Sequence, residues 1–128
     1  MRELRWLDAA LVVVVHEEQL ARFGGRAGLR DAAALDAALA RPVRPRLSGP
    51  PHPVDAAAGL ACALARHRPF TDGNERSAFA ALVLFLRLNG VPFRPSPAEA
   101  TAATGELAAG ALDEAALASW IRRVLRRS

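Results

Sequence analysis

The chain contains no lysine and no tyrosine, and it has one cysteine in 128 residues. Each absence removes a class of chemistry. Without lysine there is no amine to form a Schiff base and no ammonium to clamp a phosphate; all 17 basic side chains are arginine. A base-composition bias toward arginine and alanine codons accounts for that. The lone thiol, Cys62, permits no internal disulfide and suits a reducing compartment; within the apolar run Gly59 to Leu64 it reads as core. His16, His52 and His67 share no metal-ligand spacing, so no zinc site is expected. No Ser-His-Asp or Cys-His arrangement stands out, and there is no Walker-type glycine loop. The apolar run Val12 to Val15 is far too short to span a membrane, and no basic segment followed by an apolar stretch resembles a signal peptide. A cytoplasmic chain with no membrane partner is expected.

What is present favours helix. Apolar residues make up 52% of the chain, with alanine and leucine dominant, and the length suits one domain, 1–128, with a real core. The net charge of +4 is mild. Arg122, Arg123, Arg126 and Arg127 crowd the end, where cations complement the dipole of a C-terminal helix. Only Trp120 among the aromatics lies near them, so no nucleic-acid partner is expected.

The periodicity predicts an all-α fold. Leu4, Leu7, Leu11, Val14, Val15 and Leu20 give residues 3–22 one apolar helical face, although the four valines favour strand locally. Phe23-Gly24-Gly25 breaks that helix. Asp31 caps a second, with Leu35 and Leu39 one turn apart, ended by Pro42. Residues 42–53 hold five prolines, which predicts an extended surface loop, a Pro-rich flap. Asp55 is expected to cap a third helix running to about Arg66. A fourth spans about Asn74 to Leu88, with Phe79, Leu82, Val83, Phe85 and Leu86 making it apolar on nearly every side, the central buried helix. Gly90 reads as its left-handed terminator. Ser96-Pro97-Ala98-Glu99 is a capping box with proline at the first helical position. A last helix covers roughly 112–127, with Leu117, Trp120, Ile121, Val124 and Leu125 on one face.

The segment Pro69-Phe70-Thr71-Asp72-Gly73-Asn74-Glu75-Arg76 runs straight into the fourth helix. A helix start carries unpartnered N–H groups and partial positive charge, a natural seat for phosphate. Gly73 allows close approach, Asn74 is a neutral donor and Arg76 a cation. Asp72 can ligate Mg²⁺, act as a helix N-cap, or both. Arg76 can bind phosphate or pair with Asp31 or Asp36. Phe70 is core in either case, and His16 reads best as a satisfied, partly buried histidine.

These residues resemble the Fic/Doc family, in its death-on-curing (Doc) toxin branch. Besides the polar loop and Ser77-Ala78, the resemblance is carried by His16-Glu17, Phe23-Gly24-Gly25, Gly28-Leu29-Arg30-Asp31, Ala37 to Pro42 and Phe85 to Gly90, covering about residues 10–125. It implies an α-helical fold with a nucleotide site at the start of the central helix. It also implies a toxin that phosphorylates a threonine of elongation factor Tu, with ATP or another nucleotide as substrate and Mg²⁺ as cofactor. The implied partner is an antitoxin whose disordered segment folds against the toxin and silences it. The implied site is Asp72 on the metal, with Gly73, Asn74, Glu75 and Arg76 around the phosphates.

Two positions depart from the family pattern. The family's catalytic histidine falls on Arg68, with His67 one residue earlier, and its Lys or Gly position is Glu75. A general base must lose its proton near neutral pH, which imidazole does and guanidinium does not. Arg68 can instead neutralise phosphoryl charge, while His67 can serve as base if the loop is re-routed. Pro69 is expected to hold Arg68 extended, with His67 and Arg68 pointing opposite ways. Glu75 can favour the helix dipole, fill or repel from the phosphate seat, or join Asp72 on Mg²⁺. The reading is a Doc-like transferase moving a phosphoryl group to a protein hydroxyl. The alternatives are a repurposed domain that binds a nucleotide, anion or partner without transfer, and a protein adenylyltransferase.

Overall fold

The computed structural model describes residues 3–40 and 51–127. Among these residues it contains six helices: α1 (Ala9–Phe23), α2 (Ala32–Leu39), α3 (Pro53–His67), α4 (Asn74–Leu88), α5 (Pro97–Ala108) and α6 (Glu114–Arg126). The all-α bundle expected from periodicity is observed. The Pro-rich flap expected at 42–53 lies almost entirely outside the described residues.

Helix starts follow side-chain oxygens and prolines. Asp8 accepts a hydrogen bond from the Leu11 N–H at 2.8 Å, so α1 begins at Ala9 and not near residue 3. The residues before it form a lead-in without regular secondary structure, whose Trp6 ring packs 5.4 Å from Phe85. The valines of α1 are helical because Val12 and Val15 are buried in the core, and that burial overrides their strand preference. Asp31 caps α2 as expected, accepting from Ala34 N–H at 3.0 Å. The cap of α3 is a correction. His52 Nδ1 accepts from Val54 N–H at 3.1 Å and Pro53 takes the first helical position, where a missing N–H costs nothing. Asp55 stands one turn inside and pairs with Arg122 at 2.9 Å. The capping box at Ser96 and Glu99 forms as the sequence implies. Asp113 caps α6, which therefore starts two residues later than expected.

Helix α4 packs against α1, α3 and α5, while α3 also packs on α2 and α6. Phe85, Leu82 and Leu86 are wholly buried, and each such side chain contributes about 1.5–3 kcal/mol relative to exposure. Leu88 and Arg87 emerge at the far end, so α4 is central over its first three turns and not throughout. Gly90, at φ 79°, provides the left-handed stop. Asn89 beside it is bonded to the backbone of Arg5 in both directions, at 2.7 and 2.9 Å. The start of α4 is held by the core through its buried residues Asn74, Ser77 and Ala78. No helix among the described residues is long and apolar enough to cross a membrane.

Candidate functional site

The loop between α3 and α4 is built from inside outwards. Phe70 is buried at 2% exposure, and Asn74 closes a bracket around it. Phe70 N–H donates to Asn74 Oδ1 at 2.9 Å, and Asn74 Nδ2 donates to Phe70 C=O at 3.0 Å. Asn74, expected as an outward donor to phosphate, is therefore buried and engaged with its own loop. Its position is explained by what Phe70 needs: a buried N–H and C=O with no helix to pair them.

A second layer comes from the turn between α1 and α2. Arg30 N–H and Asp31 N–H donate to Pro69 C=O, Thr71 N–H donates to Gly28 C=O, and Leu29 pairs antiparallel with Phe70. Gly25 makes this approach possible. A Cβ there would lie 3.0 Å from Leu20 Cδ2 and 3.1 Å from Asp72 Oδ2. His16, from the middle of α1, stacks on Phe70 at 3.8 Å and donates from Nε2 to Asp72 C=O at 2.8 Å. The expected satisfied histidine is observed, fully buried at 2% exposure.

Asp72 faces outward from this frame. Its Oδ1 accepts from Gly73 N–H at 2.9 Å and its Oδ2 from Arg26 N–H at 3.1 Å. These two backbone donors hold its carboxyl below the ordinary carboxylate range, with the charges of Arg26 and Arg76 adding to them. Asp72 is not the helix cap. Gly73 is, at φ 71°, and it offers the first turn of α4 no side-chain acceptor. The N-terminal turn is therefore left without a side-chain acceptor, beside an ionised carboxylate.

Arg76 is exposed on the first turn, its Cζ 5.0 Å from the centre of the Phe23 ring, which Arg22 also approaches at 5.6 Å. The structure puts it over an aromatic face near Asp72, not against Asp31 or Asp36. Asp31 is instead engaged as the α2 cap.

Arg68 overturns one expectation. It caps α3 in the left-handed region, φ 47° and ψ 58°, and is not extended. Proline at 69 disfavours the right-handed helical region for its predecessor, and the helix end and the Arg30 guanidinium, which donates to Arg68 C=O, select the left-handed turn. From there the Arg68 guanidinium donates to the carboxylate of Glu75. The pair borders a cavity of ≈ 490 Å³ that Cys62, Arg66, Leu112 and Asp113 also line. Cys62 is core as expected, its thiol pushed up by burial and then by Glu114. His67 is one residue earlier but lines a different cleft, of ≈ 510 Å³, with Trp6, Asp55 and Glu114. Successive residues at a helix end project about 100° apart, so the structure brings Arg68 and Glu75 together and leaves His67 outside.

Of the terminal arginines, Arg123 and Arg126 lie in the last turn of α6, and the other two are ion-paired. Arg122 pairs with Asp55 and Arg127 with Glu99. Sequence reasoning missed the contribution of Phe23, Arg26 and Arg30. Phe23 and Arg30 entered the sequence reading only within segments that carry the family resemblance, with no role at the site, and Arg26 not at all.

This loop-and-helix arrangement has relatives. The chain is similar to the toxin Doc of Mycolicibacterium smegmatis, 45% identical over 71 residues, 54% of this chain and 55% of that protein. The chain thus matches about half the length of that relative. It is also similar to the protein kinase doc of Escherichia phage P1, 29% identical over 123 residues, covering 94% of this chain and 96% of that protein. Residues 6–86, which include α1 to the last turn of α4 and the whole loop described above, match the Fic/DOC family, and the chain belongs to it.

Proposed function

We propose that the chain is a Doc-type toxin that transfers a phosphoryl group from a nucleotide, ATP or another, to a serine or threonine hydroxyl of a protein. The observation that carries this reading is the start of α4: a first turn with no side-chain cap, between the ionised carboxylate of Asp72 and the guanidinium of Arg76. Phosphates would sit against the N–H groups of Asn74 to Arg76. Mg²⁺ fits the donor set, since the half-buried Asp72 carboxylate retains free lone pairs and Mg²⁺ takes one or two carboxylates with substrate phosphates. When bound, it supplies charge neutralisation on the phosphate oxygens. Among the described residues no cluster of three or more metal-binding side chains is present, so Asp72 would be its protein ligand.

Phosphoryl transfer passes through a loose transition state in which positioning and charge stabilisation outweigh proton abstraction. Arg68 would stand as a cation beside the phosphoryl group once released from Glu75. The nucleoside diphosphate is the leaving group, and the proton of the acceptor hydroxyl passes to the transferred phosphate or to solvent, since a guanidinium cannot take it. The acceptor implied by the resemblance is elongation factor Tu, met in the cytoplasm. The kinship with a toxin supports a partner antitoxin; that a disordered segment of it neutralises the toxin is what the resemblance implies.

A second reading, nucleotide or anion binding without transfer, is favoured by one observation. The residue at the histidine position is held by Glu75, and His67 faces another cleft. Adenylyl transfer would use the same seat with the α-phosphate as the reacting group. Substitution at Arg76 tests the shared premise. Arg76→Ala is expected to abolish growth arrest on expression and to weaken Mg·ATP binding; unchanged toxicity and affinity would remove the phosphate role.

A further inference from the structure

We infer that His16 is the positioning residue of the α4 anion seat: through this one imidazole, α1 fixes the corner from which the N–H groups of the seat are presented. The functional half of this inference rests on the phosphate reading above; its mechanical half does not.

The argument starts from the Asp72 carbonyl, which can only accept, so the hydrogen of the 2.8 Å contact resides on His16 Nε2. The same ring lies flat on Phe70, 3.8 Å away and within 6° of parallel. One imidazole thus holds residue 70 by its face and residue 72 by its edge. The Asp72 C=O and the Gly73 N–H belong to one planar peptide. Fixing the oxygen from α1 fixes the direction of that N–H, which donates to Asp72 Oδ1 at 2.9 Å. The same peptide leads into Gly73, whose left-handed turn, φ 71°, aims the first turn of α4.

The surroundings leave little slack. A Cβ added at Gly73 would lie 3.9 Å from His16 Nε2 and 3.7 Å from Leu20 Cδ2, so α1 sits at contact distance from the corner. His16 is 2% exposed, and water does not compete for the bond. The seat is therefore braced on two sides: by Asn74 on Phe70 from within α4, and by His16 on Asp72 from 56 residues away. His16 touches neither phosphate nor metal in this reading. It acts through Asp72 and Gly73.

Two substitutions separate the donor from the ring. His16→Phe keeps a flat ring on Phe70 and removes the donor, while His16→Gln removes the ring and places an N–H near the position of Nε2. Amide hydrogen exchange over residues 69–77 is compared with exchange in α6, alongside calorimetric Mg·ATP binding. His16→Phe is expected to speed exchange at 69–77 and to weaken Mg·ATP by about tenfold each, with α6 unchanged, and His16→Gln to recover most of both. Unchanged exchange at 69–77 in His16→Phe would overturn the inference. So would equal impairment by both variants, or faster exchange in α6 as well, which would mean the whole bundle had loosened. If the wild type binds no Mg·ATP, the phosphate reading falls, and the exchange rates still decide whether His16 holds the corner.

Discussion

The guanidinium of Arg68 donates to the carboxylate of Glu75, joining the left-handed cap of α3 to the first turn of α4. The two residues that set the loop apart in the sequence are therefore one feature in space. Each would be awkward alone: a carboxylate bordering an anion seat, and a non-glycine residue in a left-handed turn. Together they neutralise one another at the edge of the seat.

Replacing Arg68 tests how that feature is balanced. The Arg68 side chain is 52% exposed, so the ion pair contributes less than about 1 kcal/mol. A left-handed non-glycine residue costs roughly 1–2 kcal/mol. Arg68→Gly removes both effects, and urea unfolding is expected to place it within about 1 kcal/mol of wild type. Arg68→Val loses the pair and strains the backbone further; a loss of about 2 kcal/mol is expected. Equal losses in the two variants would contradict the backbone argument.

Asn74 makes a different demand. Its amide is the partner of both backbone groups of buried Phe70, so Asn74→Ala orphans an N–H and a C=O. Chemical denaturation is expected to show a loss of about 2–4 kcal/mol. A loss below about 1 kcal/mol would mean that water or a rearranged loop satisfies Phe70.

Much of this was legible in the sequence, and the limits were physical. Caps at Asp31 and Ser96, the stop at Gly90 and the bounds of α4 depend on local chemistry, and local sequence carries them. The cap at His52 was misread because a histidine acceptor followed by proline is a weaker signal than the aspartate three residues on. The loop's residues were identifiable by type, but not their partners. Whether Asn74 faces a phosphate or Phe70 depends on the depth at which the loop sits in the bundle. The brace from His16 and the approach of Arg26 to Asp72 arise from the packing of α1, at separations of 56 and 46 residues. The left-handed turn at Arg68 reverses a rule about residues before proline, because a helix end and the Arg30 guanidinium act on the same peptide.

Asp72 carries a pH signature. Backbone N–H groups of Arg26 and Gly73 depress its folded pKa, so its contribution is fully present above the unfolded value near 3.8. It is lost as pH falls through the lower folded value. Asp72→Asn, which cannot titrate, is therefore expected to be less stable than wild type at neutral pH. The gap should narrow as pH falls below about 4, measured as urea midpoints at each pH. A gap independent of pH would show that the carboxylate charge has no part in holding the loop.

The central claim, phosphoryl transfer from a seat at the start of α4, is tested most directly with labelled nucleotide. The purified chain and Mg²⁺ are incubated with a bacterial lysate and ATP labelled at the γ- or the α-phosphate, with Arg76→Ala in parallel. The account predicts γ label on a protein, none from the α position, and loss of labelling in Arg76→Ala. Label from the α position would mean nucleotidyl transfer. No label in either tube, with nucleotide still bound, would contradict the claim and leave a binding domain in which Arg68 and Glu75 hold the seat without chemistry.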